Sequence, residues 1–149
     1  MSTHTQILYQ IVFSTKYRSK CMLKQNRAEV FSYITGVIRR HKCHPYIVNG
    51  VEDHLHILTH LHPVVSLADL IKTIKISSHS FIDDHGLFPD FKNWQNGYGA
   101  FTYSKDAFPN LIRYIENQEI HHHGLNFETE YIALLEEHKV EYDPQFIFD

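Results

Sequence analysis

Two histidines separated by one leucine, His54 and His56, form a candidate metal-binding pair. Side chains at i and i+2 of a strand point to the same face, so a strand here would project both imidazoles together, about 7 Å apart at Cα. At that separation they can converge on one metal ion. The chain holds 13 histidines, and H-x-H pairs also occur at His60/His62 and His121/His123. Chance pairs are therefore expected, and the alternative is a pair of histidines on a solvated sheet face.

A tyrosine and a glutamine, Tyr114 and Gln118, lie four residues apart in a predicted helix and would face the same side of it. A tyrosine hydroxyl with an ordinary pKa of about 10 is a poor nucleophile. It can attack a phosphodiester when a bound metal polarises the phosphate and holds it in line. The phosphotyrosine would retain the energy of the broken bond, so a DNA 3′-OH could reverse the step. The alternative is an amphipathic helix with a tyrosine at its polar margin.

Apolar periodicity predicts the elements that position these side chains. Strands are predicted over Gln6–Phe13, Pro45–Val48, His54–His60 and Tyr98–Tyr103. Helices are predicted from the cap residue Ser66 to Phe81 and over Asn26–Lys42, Asp106–His122 and Thr129–His138. Asn49-Gly50 is predicted as a hairpin turn, and Gly124 as the end of the third helix. The order β-α-β-β-α-β-α is typical of the α+β class with a ferredoxin-like, split-βαβ antiparallel sheet and helices on one face.

Composition and charge restrict the class of protein. The 149 residues suit one domain, and no apolar run approaches the roughly 18 residues of a membrane span. The first ten residues do not resemble a secretory signal, and two distant cysteines, Cys21 and Cys43, favour a reducing cytoplasm. Residues 1–48 hold eight basic side chains and one acidic one, whereas residues 49–149 hold six basic and sixteen acidic ones. This asymmetry predicts a basic N-terminal surface and an acidic tail, or a solvated face without a partner.

Taken together, the two clusters resemble the single-tyrosine HUH transposases of small bacterial insertion sequences, which include the REP-associated tyrosine transposase relatives. His54-Leu55-His56 fits the histidine, bulky apolar residue, histidine pattern. Further segments look like that family in order and spacing: Val48–Leu58, Leu70–Ile82 with Lys75 and paired serines, Trp94–Ser104 and Tyr114–His122. The likeness covers roughly residues 5–125, and its most specific parts are Trp94–Ser104 and the run YIENQ that begins at Tyr114.

The resemblance implies an enzyme, a metal-dependent single-strand DNA endonuclease and strand transferase. His54, His56 and Gln118 would bind one Mg²⁺ or Mn²⁺. Tyr114 would attack the scissile phosphate, form a 5′-phosphotyrosine link and leave a free 3′-OH. The DNA would be single-stranded, often with a hairpin. Two protomers would join through their sheets into a homodimer with a shared active site, and whether Tyr114 acts in cis or in trans stays open.

The same resemblance assigns roles to exposed residues and to the two parts of the chain. Residues 1–125 would form the HUH transposase catalytic domain, and residues 126–149 a C-terminal helix and acidic tail of that domain. Tyr17 and Tyr46 are candidates for stacking on bases. Candidate phosphate contacts are the basic residues Lys16, Arg18, Lys20, Arg39, Arg40 and Lys75.

Two other classes of protein share part of this pattern. A non-catalytic single-stranded nucleic-acid-binding module would explain the basic N-terminal half, but not the joint presence of the histidine pair with Tyr114 and Gln118. A histidine-rich metal-buffering protein would bind several metal ions and have no effect on DNA. Replacing Tyr114 with phenylalanine separates these alternatives, because only an enzyme of the resembled type needs the hydroxyl.

Overall fold

The structure is a computed structural model that describes residues 1–121 and 125–148. Its strands are β1 (Leu8–Ser14), β2 (His44–Gly50), β3 (His54–His60) and β4 (Gly99–Thr102). Its helices are α1 (Lys24–Arg40), α2 (Leu67–His85), α3 (Phe108–Glu116), α4 (Gln118–His121) and α5 (Phe127–Glu137). Two short 3₁₀ turns lie at Lys16–Arg18 and Lys105–Ala107. Among these described elements, no helix is long and apolar enough to cross a membrane.

Within the described ranges, the strands form one antiparallel sheet in the order β2-β3-β1-β4. The crossover through α1 places β2 two strands from β1, and β3 fills the gap between them. This is the split-βαβ arrangement, so the predicted α+β, ferredoxin-like fold class is confirmed. β1 and β3 are the central strands, and their register sets Val12 opposite His56.

One face of the sheet, here called the apolar face, packs against α1 and α2. The central strands contribute Ile11, Phe13, Leu55 and Ile57 to this core. The two helices add apolar residues at helical spacing, among them Ile34, Ile38, Leu70 and Ile74. Each fully buried side chain of this kind contributes ~1.5–3 kcal/mol, so this layer supplies much of the stability of the fold.

The opposite face, here called the histidine face, is also covered by helices. α5 places Phe127 and Tyr131 on Val12 and Phe101. α3 packs on Leu8 and Leu58 through the apolar residues Phe108, Leu111 and Ile115. The expectation of helices on one face only was therefore incomplete, because the apolar side chains of α3 and α5 need a second sheet face on which to be buried.

The predicted hairpin turn at Asn49-Gly50 is wrong. Both residues lie in β2, where Gly50 pairs with Leu55, and the chain turns at the next three residues. Glycine is needed at position 50 for a close approach: a Cβ there would lie 2.3 Å from the carbonyl oxygen of His54. Asn49 instead uses its side chain to donate to the carbonyls of Ile115 (2.8 Å) and Glu116 (3.3 Å).

The helix predicted over Asp106–His122 is divided. α3 ends at Glu116, and α4 begins at Gln118 after a break at Asn117. The Asn49 side chain donates to the last carbonyls of α3, which would otherwise lack a partner within the helix. This hydrogen bonding favours the end of the helix at that point. His122 and Gly124, predicted to end the helix, lie outside the described residues. The last helix begins two residues earlier than predicted, since the Asn126 side chain caps it by accepting from Thr129 N.

The conspicuous segment that begins at Trp94 has a structural role. Trp94 is buried and donates from Nε1 to Ser78 Oγ at 2.9 Å. Lys75 Nζ donates to the carbonyls of Gln95 (2.8 Å) and Gly97 (2.5 Å). Gln95 Oε1 in turn accepts from Ser14 N at 2.6 Å. These contacts attach the end of β1 and the approach to β4 to α2.

Candidate metal and nucleophile site

His54 and His56 lie side by side on the histidine face, as their spacing predicts. Their ring centroids are 5.3 Å apart, and both side chains are 0 % exposed. Leu55, between them, points into the apolar core on the other face. The alternative of histidines on a solvated sheet face is therefore wrong, because α5 covers this part of the sheet: the Phe127 ring lies 4.6 Å from the His54 ring.

Asp53 orients the first histidine. Its Oδ1 lies 2.7 Å from His54 Nδ1. The other ring nitrogen, Nε2, faces Glu130, whose Oε1 lies 3.7 Å away. Burial alone would lower the pKa of His54, but the carboxylates of Asp53 and Glu130 outweigh burial, and the pKa is raised. A carboxylate on the outer ring nitrogen is the usual way in which proteins orient a metal-binding histidine.

Gln10 holds the second histidine from the neighbouring strand. Its side-chain amide lies 3.0 Å from His56 Nδ1, and both residues are 0 % exposed. Either end of the amide fits this position, because its oxygen and nitrogen ends have nearly the same shape. His56 Nε2 is therefore directed away from the sheet, toward α5.

α5 supplies a third group that the sequence analysis did not identify. Glu130 Oε1 lies 2.5 Å from His56 Nε2 and 3.7 Å from His54 Nε2, and the residue is 2 % exposed. The ligand atoms of these three residues lie within 4.8 Å of one another. Two imidazole nitrogens and one carboxylate oxygen are a donor set that suits divalent cations such as Mn²⁺ or Zn²⁺, so the residues present fit a metal.

Tyr114 reaches the same place from α3. Its ring lies 6.1 Å from the His56 ring and perpendicular to it. Burial, followed by the nearby charge of Glu130, raises the pKa of Tyr114 far above its ordinary value. The side chains of Glu130 and Gln118 both act on the hydroxyl, since Glu130 raises the pKa of Tyr114 and Gln118 lowers it. The phenol is therefore neutral at physiological pH and is held beside the histidine pair.

Gln118 is the first residue of α4, one turn beyond Tyr114, and is 0 % exposed. The two side chains face the same side, as their spacing predicts. Asn49 fixes this geometry, because it binds the carbonyls at the end of α3 and pairs with His56 across the β2–β3 ladder. The tyrosine helix is thus attached to the strand next to the one that carries the histidines.

A cavity of about 370 Å³ adjoins the site between α3 and α5. Gln10, Tyr114 and Glu130 form the wall nearest the histidines, and Tyr103 and Asn110 lie farther along it. The remaining lining is mostly apolar, from residues such as Leu111 and Leu134. The cavity provides a space next to the Tyr114 hydroxyl in which a substrate group can be placed.

The basic residues predicted to contact phosphate differ in their surroundings. Arg18 pairs with Glu128 of α5 at 3.0 Å and lies 5.1 Å over the Phe148 ring, whereas Lys75 is bound to backbone carbonyls. Tyr17 is 66 % exposed and Tyr46 is 40 % exposed. Four others have side chains that are exposed or half-buried: Lys16, Lys20, Arg39 and Arg40.

Comparisons with known proteins bear on the family and the fold. The family model described as "Transposase IS200 like" matches residues 3–118. A candidate transposase from Deinococcus radiodurans R1 has a TM-score of 0.61 and 20 % identity, with 79 % of this chain and 95 % of that chain covered. A REP-associated tyrosine transposase bound to a REP hairpin has a TM-score of 0.59 and 16 % identity, with 82 % and 74 % covered. No curated protein matches the sequence.

Proposed function

Because the chain belongs to the IS200-like transposase family, we propose that it cuts and rejoins single-stranded DNA at the ends of an insertion sequence through Tyr114. The observation that carries this proposal is the convergence of a buried histidine pair and a tyrosine from two different elements. The Tyr114 ring is 6.1 Å from the His56 ring, and Tyr114 and Glu130 line the same cavity. A fold alone does not assign a reaction, but a nucleophile beside candidate metal ligands does limit the chemistry.

The proposed reaction is a transesterification at phosphorus. The Tyr114 oxygen forms a bond to the scissile phosphorus as the bond to the DNA 3′ oxygen breaks. The tyrosine loses its proton, and the departing oxygen takes one up, which leaves a 5′-phosphotyrosine and a free 3′-OH. Attack by a 3′-OH on that link reverses the step and joins a new strand, and no external energy source is needed.

A divalent metal, Mg²⁺ or Mn²⁺, would polarise the scissile phosphate when bound. His54, His56 and Gln118 are the ligands that the family resemblance implies. The complete burial of all three side chains supports this assignment. Asp53 and Gln10 hold the outer nitrogens of the two imidazoles, so both rings can present Nε2 to one ion. The adjoining cavity leaves room for a phosphate beside Tyr114.

We expect the DNA partner to be single-stranded with a hairpin, since a structural neighbour of the same family is bound to a REP hairpin. The exposed basic residues Lys16, Lys20, Arg39 and Arg40 are the proposed phosphate contacts, together with Arg18 and Lys75. We also propose a cytoplasmic homodimer joined through sheet edges. Tyr114 lies beside the His56 of its own chain, which supports action in cis.

The proposal is tested with purified protein, labelled single-stranded DNA from both flanks of its gene, and Mn²⁺ or Mg²⁺. A covalent protein–DNA adduct on a denaturing gel is expected, and it should disappear with chelator and in Tyr114→Phe. Tyr33→Phe is the matched control, because Tyr33 is a half-buried tyrosine that packs against the core on the opposite face of the sheet. Tight binding without an adduct on any strand would favour the non-catalytic binding module instead.

A further inference from the structure

We propose that Glu130 is itself a ligand of the metal, and that its carboxylate contributes more to the affinity than the Gln118 carboxamide does. This rests on the proposed function in one respect, the presence of a divalent metal on the histidine pair. It makes α5 part of the active site of its own chain, although Glu130 is 74 positions beyond His56 and outside the segment that the family model matches, residues 3–118.

The first argument is position. Glu130 Oε1 is within 2.5 Å of His56 Nε2 and 3.7 Å of His54 Nε2, so one carboxylate oxygen already faces both ring nitrogens. All three ligand atoms fall within 4.8 Å of one another, the spacing expected around a single ion. An ion about 2.1 Å from each atom requires ligand atoms roughly 3.4 Å apart, so the contact between Glu130 and His56 would widen when the ion binds.

The second argument is charge. The residues next to Glu130 on the buried side of α5 are apolar, at Phe127, Tyr131 and Leu134. A leucine at position 130 would continue that stripe without the several kcal/mol that burying a carboxylate costs. A divalent cation between the carboxylate and the two imidazoles offsets that cost. In so dry a site a charged oxygen also attracts the ion more strongly than the neutral carboxamide of Gln118.

The third argument is the partner of His56. Gln10 Oε1 has no hydrogen-bond partner among the described residues. If the Gln10 amide turns over, Oε1 accepts from Nδ1–H of His56, and the lone pair of Nε2 faces α5. Without metal, the opposite orientation lets Nε2–H donate to Glu130. Gln10, His56 and Glu130 can therefore adopt both the metal-free and the metal-bound arrangement with one rotation, that of the Gln10 amide. In the metal-bound arrangement Gln10 Oε1 accepts a hydrogen bond from His56.

The test is Mn²⁺ binding, measured by titration calorimetry and by the free Mn²⁺ electron paramagnetic resonance signal, without DNA. Glu130→Gln keeps the shape of the side chain and should weaken binding by about tenfold to a hundredfold. Gln118→Ala should weaken it less. Glu128→Gln is the matched control, since that exposed carboxylate of the same helix pairs with Arg18 and should leave affinity unchanged. Undiminished binding by Glu130→Gln would overturn the proposal.

A second measurement needs no variant. If Glu130 binds the ion, Mn²⁺ ties α5 to the sheet, so amide hydrogen exchange over Phe127–Glu137 should slow when Mn²⁺ is added. Unchanged or faster exchange there would mean that α5 does not hold the ion, which would contradict the proposal. The covalent-adduct assay separates the two claims. Glu130-dependent Mn²⁺ binding without any adduct would leave this proposal standing and remove the proposed function.

Discussion

The two faces of the sheet are built from the same strands but differ in what they carry. On the apolar face, β3 presents Leu55 and Ile57 to α1 and α2. On the histidine face, alternate residues of the same strand present His54 and His56 to α3 and α5. Both faces are buried, so the contrast is between two kinds of interior rather than between core and surface.

This difference shows how one strand can separate stability from chemistry. Side chains along a strand alternate between its two faces, so neighbouring residues lie in opposite layers. A change at one position can therefore alter one layer without repacking the other. The apolar layer gains free energy from burial, whereas the histidine layer spends some of it on buried polar groups. Substitutions at adjacent positions should therefore differ in their effect on metal binding.

The largest expected effect is on the histidine face. His56→Ala removes a proposed ligand and should reduce adduct formation by about a thousandfold, because a bound metal supplies several kcal/mol of transition-state stabilisation. The melting temperature should also fall, because Glu130 and Gln10 lose their buried partner. Quantitative gel analysis of adduct formation against time checks the prediction, with differential scanning calorimetry on the same samples. Retained cleavage by the folded variant would contradict it.

A substitution at the neighbouring position, Ile57, should lower stability without affecting metal binding. Ile57→Ala leaves a cavity in the apolar layer and should lower the free energy of unfolding by about 2–5 kcal/mol. The Mn²⁺ affinity of the folded protein should be unchanged, because Ile57 faces away from the histidines. Chemical denaturation and Mn²⁺ titration measure the two quantities. If metal affinity fell as much as stability, the two layers would not be separable.

A smaller effect is expected from the residue that holds His56. Gln10→Leu removes the amide but keeps most of the volume, and it should weaken Mn²⁺ binding by about tenfold or more. The measurement is the same titration, with the exposed Arg39→Ala as a control that should not alter it. An unchanged affinity would show that the orientation of His56 does not depend on Gln10.

The smallest effect concerns alkaline stability. Burial, with Glu137 nearby, raises the pKa of Tyr103 to about 12 from an ordinary 10. The unfolded chain releases this proton first, so the folded state loses stability as the pH rises through that interval. Tyr103→Phe should therefore have a shallower decline of melting temperature between those two pH values. An identical slope in the two proteins would contradict the raised pKa.

The fold class and the histidine and tyrosine clusters follow from local patterns. Strand alternation places His54 and His56 on one face, and helical spacing places Tyr114 with Gln118. By contrast, the Asn49-Gly50 pair satisfies a turn pattern, but its glycine is required by the close approach of the carbonyl of His54. Sequence alone does not distinguish these two reasons for a glycine.

Glu130 shows why the rest of the site was missed. Its contact with the histidines depends on how α5 docks, and helix docking is a tertiary event without a local sequence pattern. One signal was nevertheless present: the acid stands between Phe127, Tyr131 and Leu134 on the face of a helix that is otherwise apolar. An acid in such a stripe needs a partner in the interior. Assigning the catalytic domain to residues 1–125, and a C-terminal helix with an acidic tail to residues 126–149, concealed that requirement.

The most direct test of the central claim is to identify the residue that becomes attached to DNA. The protein is incubated with single-stranded DNA from its flanks and Mn²⁺, the adduct is isolated under denaturing conditions, and the digested peptides are analysed by mass spectrometry. The prediction is a 5′-phosphodeoxynucleotide on Tyr114, with a matching free 3′-OH on the released strand. Attachment to another tyrosine, such as Tyr17 or Tyr103, would contradict the account.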